Sequence, residues 1–223
     1  FTLLFPSAAV FTYFYLSTDP ETNRAWYSAS KAVQFSLPLF AYFAMRRPRL
    51  WNLARHRSDL FLGCASGLAI LLGLLFLYAF FLRHLPFLPE VRVAIREKLH
   101  QFGAETPAGF AAMAVFLSVV HSFLEEYFWR GFAYRELALR LRKPAAMALS
   151  ALAFTGHHIL VIAVYSPASH AWLLVPVFSA FVFVGGVLWA WMHERSGSLA
   201  GTWISHFFAD VALMLIGAHL IFF

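Results

Sequence analysis

Residues 108–132 read AGFAAMAVFLSVVHSFLEEYFWRGF. Thirteen apolar or small residues lead into a histidine, two adjacent glutamates and an arginine. The run has the character of a membrane span, which needs about 20 mostly apolar residues. Glu125, Glu126 and Arg130 therefore stand at or near membrane depth. Ionisable side chains there are costly to desolvate and mark a functional site. The alternative, that the span ends at Glu125 and the charges are solvated, is weakened by two more polar positions in later apolar runs, His157/His158 and His206/Asp210.

The rest of the chain agrees with a lipid environment. Of 223 residues, 61% are hydrophobic and only 13% charged, about half the charged share of an average soluble domain. Lipid requires the backbone to satisfy its own hydrogen bonds, so the expected fold is all-α, a multi-pass helical bundle. About seven spans are predicted, at 1–16, 27–45, 60–82, 108–129, 145–165, 171–192 and 200–223. The fourth continues as a polar helical tail, RGFAYRELALRLRK, with no breaker before Pro144. Arg46, Arg47, Arg49, Arg55 and Arg57 follow the second span, and Arg135, Arg140, Arg142 and Lys143 follow the fourth. The loop SPASH after the fifth has no Lys or Arg. Positive charge accumulates on the cytoplasmic side, which places the N-terminus there. This bias and anionic headgroups explain the net charge of +6 without nucleic acid as a partner. Residues 83–107 carry Val91, Ala94, Ile95, Leu99 and Phe102 at helical spacing among charges, the pattern of an amphipathic helix lying at the interface. Residues 1–223 are read as one membrane domain, with 83–107 as its interfacial connector. Cys64 is the only cysteine, which excludes an internal disulfide and a thiolate metal site; it is read as a packing residue.

Helical geometry sorts the polar positions. Residues four apart share a face, so Glu126 pairs with Arg130 as a structural clamp. Glu125 points about 100° away, without that arginine, and suits a general base. His121 shares its face but is read as packing. In AFTGHHIL (153–160), Phe154 and His158 share a face while His157 points elsewhere. The fourth and fifth spans form a hairpin that brings Glu125 and His158 to similar depth. In TWISHFFADVAL (202–213), His206 and Asp210 stack on one face. Glu125, His158, His206 and Asp210 suit either a water-activating protease centre or a zinc site. The absence of HExxH inclines the reading to metal-free water activation, with no firm cofactor and zinc kept as the alternative.

Three motifs in order, Glu125-Glu126-Tyr-Phe-Trp-Arg130, Phe154-Thr-Gly-His-His158 and His206-Phe-Phe-Ala-Asp210, resemble those of the CAAX protease and bacteriocin-processing family of intramembrane proteases. That family includes the type II CAAX prenyl endopeptidases. The resemblance covers residues 121–213 and makes 108–213 the expected catalytic core. It implies a prokaryotic integral membrane protein, in the cell membrane, with a cavity open to the cytoplasm and the bilayer. Glu125 and His158 would activate water, with Glu126, Arg130 and Phe154 in support. His206 and the residue four later would stabilise the oxyanion. That residue is often Asn in the prenyl proteases. Here it is Asp210, which as an anion would repel an oxyanion.

The combined expectation is an intramembrane endopeptidase that cleaves a peptide bond near a membrane-anchored or C-terminal segment of its substrate. The rival is a catalytically silent membrane scaffold or immunity-type protein that keeps the polar cluster for packing. A transporter would need discontinuous spans or repeat symmetry, and neither is visible.

Overall fold

The computed structural model describes residues 2–16, 19–44, 53 and 57–223. Among these the regular structure is helical. The helices are α1 (Phe5–Tyr15), α2 (Pro20–Ala44), α3 (Arg57–Phe80), α4 (Leu88–Phe102), α5 (Pro107–Ala138), α6 (Lys143–Tyr165), α7 (Ala171–Ser196) and α8 (Ala200–Phe222). A short 3₁₀ turn, Leu82–His84, links α3 to α4.

Five of these helices, α3 and α5 to α8, are long and apolar enough to cross a membrane. The first expected span is an 11-residue helix, about half the length a crossing requires. The second corresponds to α2, 25 residues long. It carries Glu21, Arg24 and Lys31 and does not reach the apolar content of the other five. The basic positions Arg46, Arg47, Arg49 and Arg55 lie outside the described residues.

Local signals set the helix ends. Thr106 accepts a hydrogen bond from the Gly109 N–H at 3.0 Å, with Pro107 behind it in the first turn. A capping hydroxyl and a proline whose missing N–H costs nothing there start α5. Gly103 closes α4 with φ of 68°, and the next N–H, of Ala104, reaches back to the Leu99 carbonyl at 2.8 Å. Only glycine adopts that left-handed conformation without strain. Within α4 the expected stripe is seen. Leu99 is buried and Val91, Ala94, Ile95 and Phe102 are half-buried, while Arg92, Arg96 and Glu97 are exposed.

The expected tail of α5 differs. Its helix ends at Ala138, before the basic LRLRK run, and α6 begins at Lys143. Gly131 to Tyr134 are buried in protein, because α2, α6 and α7 pack around that stretch. Cys64 is exposed on α3, so it does not serve the interior.

Two close helix pairs frame the bundle, α3 with α8 and α6 with α7, and α5 lies against α6, α7 and α8. The α3–α8 crossing depends on small residues. A Cβ at Gly63 would stand 2.5 Å from the Gly201 carbonyl oxygen and 2.8 Å from its Cα. Backbone atoms cannot step aside as side chains do. Small residues let membrane helices approach closely where the hydrophobic effect gives no help. Asp59 on α3 then accepts a hydrogen bond from the Gly201 N–H at 3.0 Å. A carboxylate at the first turn of α8 satisfies an orphan donor and complements the helix dipole.

Gly63→Ala is expected to push α8 away from α3 and destabilise the fold by about 1–3 kcal/mol, the usual range for overpacking. Gly73→Ala on the same helix has open space at its Cβ and should be neutral or stabilising, since Ala is the better helix former. Thermal unfolding of both variants in detergent checks the contrast.

Candidate active site

The stretch that carries the glutamates is not a regular α-helix. Phe116–His121 and Tyr127–Tyr134 are wide π-helical segments, and they bracket an α-helical turn at Ser122–Glu126. Such i→i+5 hydrogen bonding is rare and occurs mostly at functional sites. Here it turns the chain fewer degrees per residue and fans the polar side chains over several neighbouring helices. All eight residues from Tyr127 to Tyr134 are buried as a result.

The three charges are inside the protein. Relative exposure is 3% for Glu125, 0% for Glu126 and 1% for Arg130, so they are not a solvated end of the span. Arg130 donates to Glu126 Oε1 at 2.9 Å, the clamp that the four-residue spacing predicts. It also donates to the Gly186 carbonyl on α7 at 3.3 Å. Its guanidinium lies over the rings of Phe154 at 4.6 Å and Trp189 at 5.1 Å. Aromatic faces return to a desolvated guanidinium part of what it loses in water.

Glu126 does more than hold Arg130. The same Oε1 accepts from His206 Nδ1 at 2.8 Å. With the Nδ1 proton committed to that carboxylate, Nε2 is turned toward Glu125 at 3.9 Å and Asp210 at 3.7 Å. Trp189 stacks on the His206 ring at 4.2 Å and 14°, and its indole N–H donates to Ser205 Oγ at 3.0 Å. Ser66 of α3 reaches Ser205 at 3.0 Å. His206 is therefore fixed on one face by a ring and at one nitrogen by a carboxylate. The sequence pairs Glu126 with Arg130 alone.

Glu125 is ringed by imidazoles. His121 Nε2 lies at 3.3 Å and His157 Nε2 at 3.4 Å. Glu125, His157 and His158 each offer a donor atom within 4.8 Å of the others. His158 Nδ1 donates to the Phe154 carbonyl at 3.0 Å. A carbonyl only accepts, so the proton sits on Nδ1 and Nε2 keeps its lone pair. Phe154 is the shared wall. It is buried and meets Trp129, Trp189 and His206 edge-on at 5.6 to 6.1 Å.

Glu125, His158, His206 and Asp210 thus come together from α5, α6 and α8. Two residues read as bystanders join them. His157, expected to point elsewhere, is buried against Glu125 and stacked on Trp129 at 5.6 Å and 4°. His121, read as packing, also contacts Glu125. The packing of α6 against α5 brings both His157 and His158 to Glu125. Trp189 and Gly186 carry no local signal that pairs them with the site. Only the fold brings them there.

Residues 107–212 match the family model described as type II CAAX prenyl endopeptidase Rce1-like. This segment is similar to the Rce1-like family. All three motifs lie inside the matched residues. Neither the comparison with curated proteins nor that with solved structures yields a match. The Rce1-like segment begins with α5 and ends within α8, so it contains every helix that supplies a motif side chain.

In this Rce1-like segment, Arg130→Met is expected to destabilise the protein by about 3–5 kcal/mol, because Glu126 is left as a buried charge without its cation. The double variant Glu126→Gln/Arg130→Met removes both charges and should recover part of that loss. Thermal unfolding of the two variants in detergent checks the order.

Proposed function

We propose that this protein is an intramembrane endopeptidase that hydrolyses a peptide bond near a membrane-anchored or C-terminal segment of its substrate. The observation that carries the reading is the position of the Glu125 carboxylate, buried at the meeting point of α5, α6 and α8 with imidazole nitrogens around it. A packing cluster needs no carboxylate with an unshared role, because Glu126 already balances Arg130.

In the proposed mechanism Glu125 takes a proton from water, and His158, whose Nε2 lone pair is free, helps to orient that water. The hydroxide attacks the peptide carbonyl, and the proton passes to the leaving amine. His206 faces the developing oxyanion. With Nδ1 bonded to Glu126, only the doubly protonated ring offers an N–H at Nε2, so His206 acts as imidazolium. Glu126 compensates that charge from one side, and Asp210 orients the ring from the other. This gives Asp210 a use where a bare carboxylate beside an oxyanion would be unfavourable. Phe154 and Trp189 exclude water and strengthen these electrostatics.

The finer placement follows the same reading. The chain lies in a prokaryotic cell membrane with the site toward the cytoplasmic half. α1 and α2 complete a seven-helix membrane arrangement, and α4 lies at the opposite interface.

One observation favours a metal variant of the same activity. Tetrahedral zinc with ligands at ~2.0–2.1 Å holds its donors about 3.3–3.5 Å apart, and Glu125 Oε1 and His157 Nε2 are 3.4 Å apart. His158 completes a three-donor set. Zinc bound there would lower the pKa of water. The metal-free reading is preferred because His206 and Asp210 stand outside that set.

Glu125→Gln is expected to lower turnover by about 10²–10⁴-fold, the contribution of a general base, with unchanged thermal unfolding. Wild-type cleavage by purified Glu125→Gln would remove the general-base role. A chelator should leave the wild-type rate unchanged. Loss on chelation and recovery with zinc alone would establish the metal variant instead. Asp210→Asn should retain most of the activity in the metal-free mechanism, because Asn still hydrogen-bonds His206.

A further inference from the structure

The end of the bundle away from the glutamates carries a second polar cluster. The Tyr78 hydroxyl on α3 and His219 Nδ1 on α8 are hydrogen-bonded at 2.7 Å. His219 lies about 20 Å along α8 from His206, at ~1.5 Å per residue, so this cluster is separate from the proposed active site. Arg83, in the turn after α3, and Arg92, on α4, both stand within electrostatic range of Tyr78. A third cation, Arg96, donates to the Ile221 carbonyl at 2.9 Å and ties α4 to the last turn of α8.

No acid balances these charges. Among the described residues Arg83, Arg92 and Arg96 form no salt bridge. Arg83 donates only to the neighbouring His84, at 3.1 Å, and Glu105 is taken by His100. At ~100° per residue, Glu90 and Glu97 fall about 140–160° around α4 from Arg92, while Arg96 shares its face. On the orientation that puts Glu125 toward the cytoplasm, this end faces outward, where Lys and Arg are normally sparse. Topology therefore does not account for the arginines. Just before Arg83, the exposed rings of Phe76, Phe80 and Phe81 form an aromatic patch, with Phe76 4.6 Å from Phe80 and 6.2 Å from Phe81. Cations above an apolar surface match the two halves of an anionic phospholipid.

We propose that Arg83 and Arg92 hold the phosphate of an anionic phospholipid, with His219 beside it and the acyl chains along the phenylalanines of α3. A guanidinium recognises phosphate through paired N–H donors. A zwitterionic headgroup brings its own ammonium, for which this face has no free carboxylate, and that selects the anionic lipid. The bound phosphate joins the turn after α3 to α4. It braces this end of the α3–α8 pair, whose other end is joined through Asp59 and Gly201.

The test is native mass spectrometry of the detergent-solubilised protein, titrated with phosphatidylglycerol and with phosphatidylcholine of the same acyl chains. Wild type is expected to bind the first phosphatidylglycerol about thirtyfold more tightly, equivalent to ~2 kcal/mol for two basic side chains. That preference should fall to near one in Arg83→Gln/Arg92→Gln and be largely kept in Arg83→Lys/Arg92→Lys. It should also survive in Arg140→Gln/Arg142→Gln, at the opposite end of the bundle. Equal binding of the two lipids by wild type, or a preference unchanged in Arg83→Gln/Arg92→Gln, overturns the proposal. So does an equal loss in the Arg140/Arg142 variant, which would mean attraction to the whole surface. Thermal unfolding with matched concentrations of phosphatidylglycerol and inorganic phosphate separates a lipid from a free anion. Stabilisation by the lipid alone supports the site, and equal stabilisation by phosphate overturns the lipid as its occupant.

Discussion

A single carboxylate oxygen, Oε1 of Glu126, accepts from Arg130 at 2.9 Å and from His206 at 2.8 Å. That shared acceptor ties α5 to α8 in the least exposed part of the bundle. Burying a carboxylate and a guanidinium together is not in itself a source of stability, since desolvation offsets most of the attraction. What the arrangement supplies is direction. It holds one imidazole with a known nitrogen toward Glu125, in the way that carboxylates outside a reactive centre orient the histidines within it. Remove the shared acceptor, and His206 loses its tautomer while Arg130 loses its counterion.

The surrounding residues exist to make that geometry tolerable. Phe154 and Trp189 face Arg130 and His206 and replace water with polarisable rings. Gly186 lets α6 approach α7 where a Cβ would meet Ala151 at 3.0 Å, and its carbonyl is then close enough to accept from Arg130. Gly63, Gly201 and Asp59 do the equivalent for α8. Small residues at the crossings and large rings around the charges are two halves of one solution. The first brings backbones close, and the second fills the space left around long polar side chains.

The same constraint gives the Glu pair its division of labour. Adjacent residues on a helix face different neighbours, so one glutamate is spent on structure and the other stays among imidazoles. Both glutamates lie in the α-helical turn Ser122–Glu126, between the two π-helical segments. Glu126 is in register with Arg130, while Glu125 faces both His121 and His157. Wide turns are less favourable than α-turns, and they persist here because α2, α6, α7 and α8 all press on this helix.

Much of this was legible in the chain itself. Hydrophobic runs of span length marked the five long apolar helices, because lipid leaves no other way to satisfy a backbone. Four-residue spacing was enough to pair Glu126 with Arg130 and to stack His206 with Asp210, since an α-helix puts such residues on one face. The stripe of α4 followed from the same periodicity. Three things were not legible. α1 is shorter and α2 more polar than the five, a difference that the reading of hydrophobic runs does not draw. His157 is read as pointing away from the face of Phe154 and His158, because the sequence does not say which part of α6 meets α5. Asp59 and Trp189 gained their places from contacts with residues distant in the chain. Local periodicity is a property of the backbone and can be read in order; the convergence of Glu125, His157, His158 and His206 depends on how close helices approach, and only tertiary packing decides that.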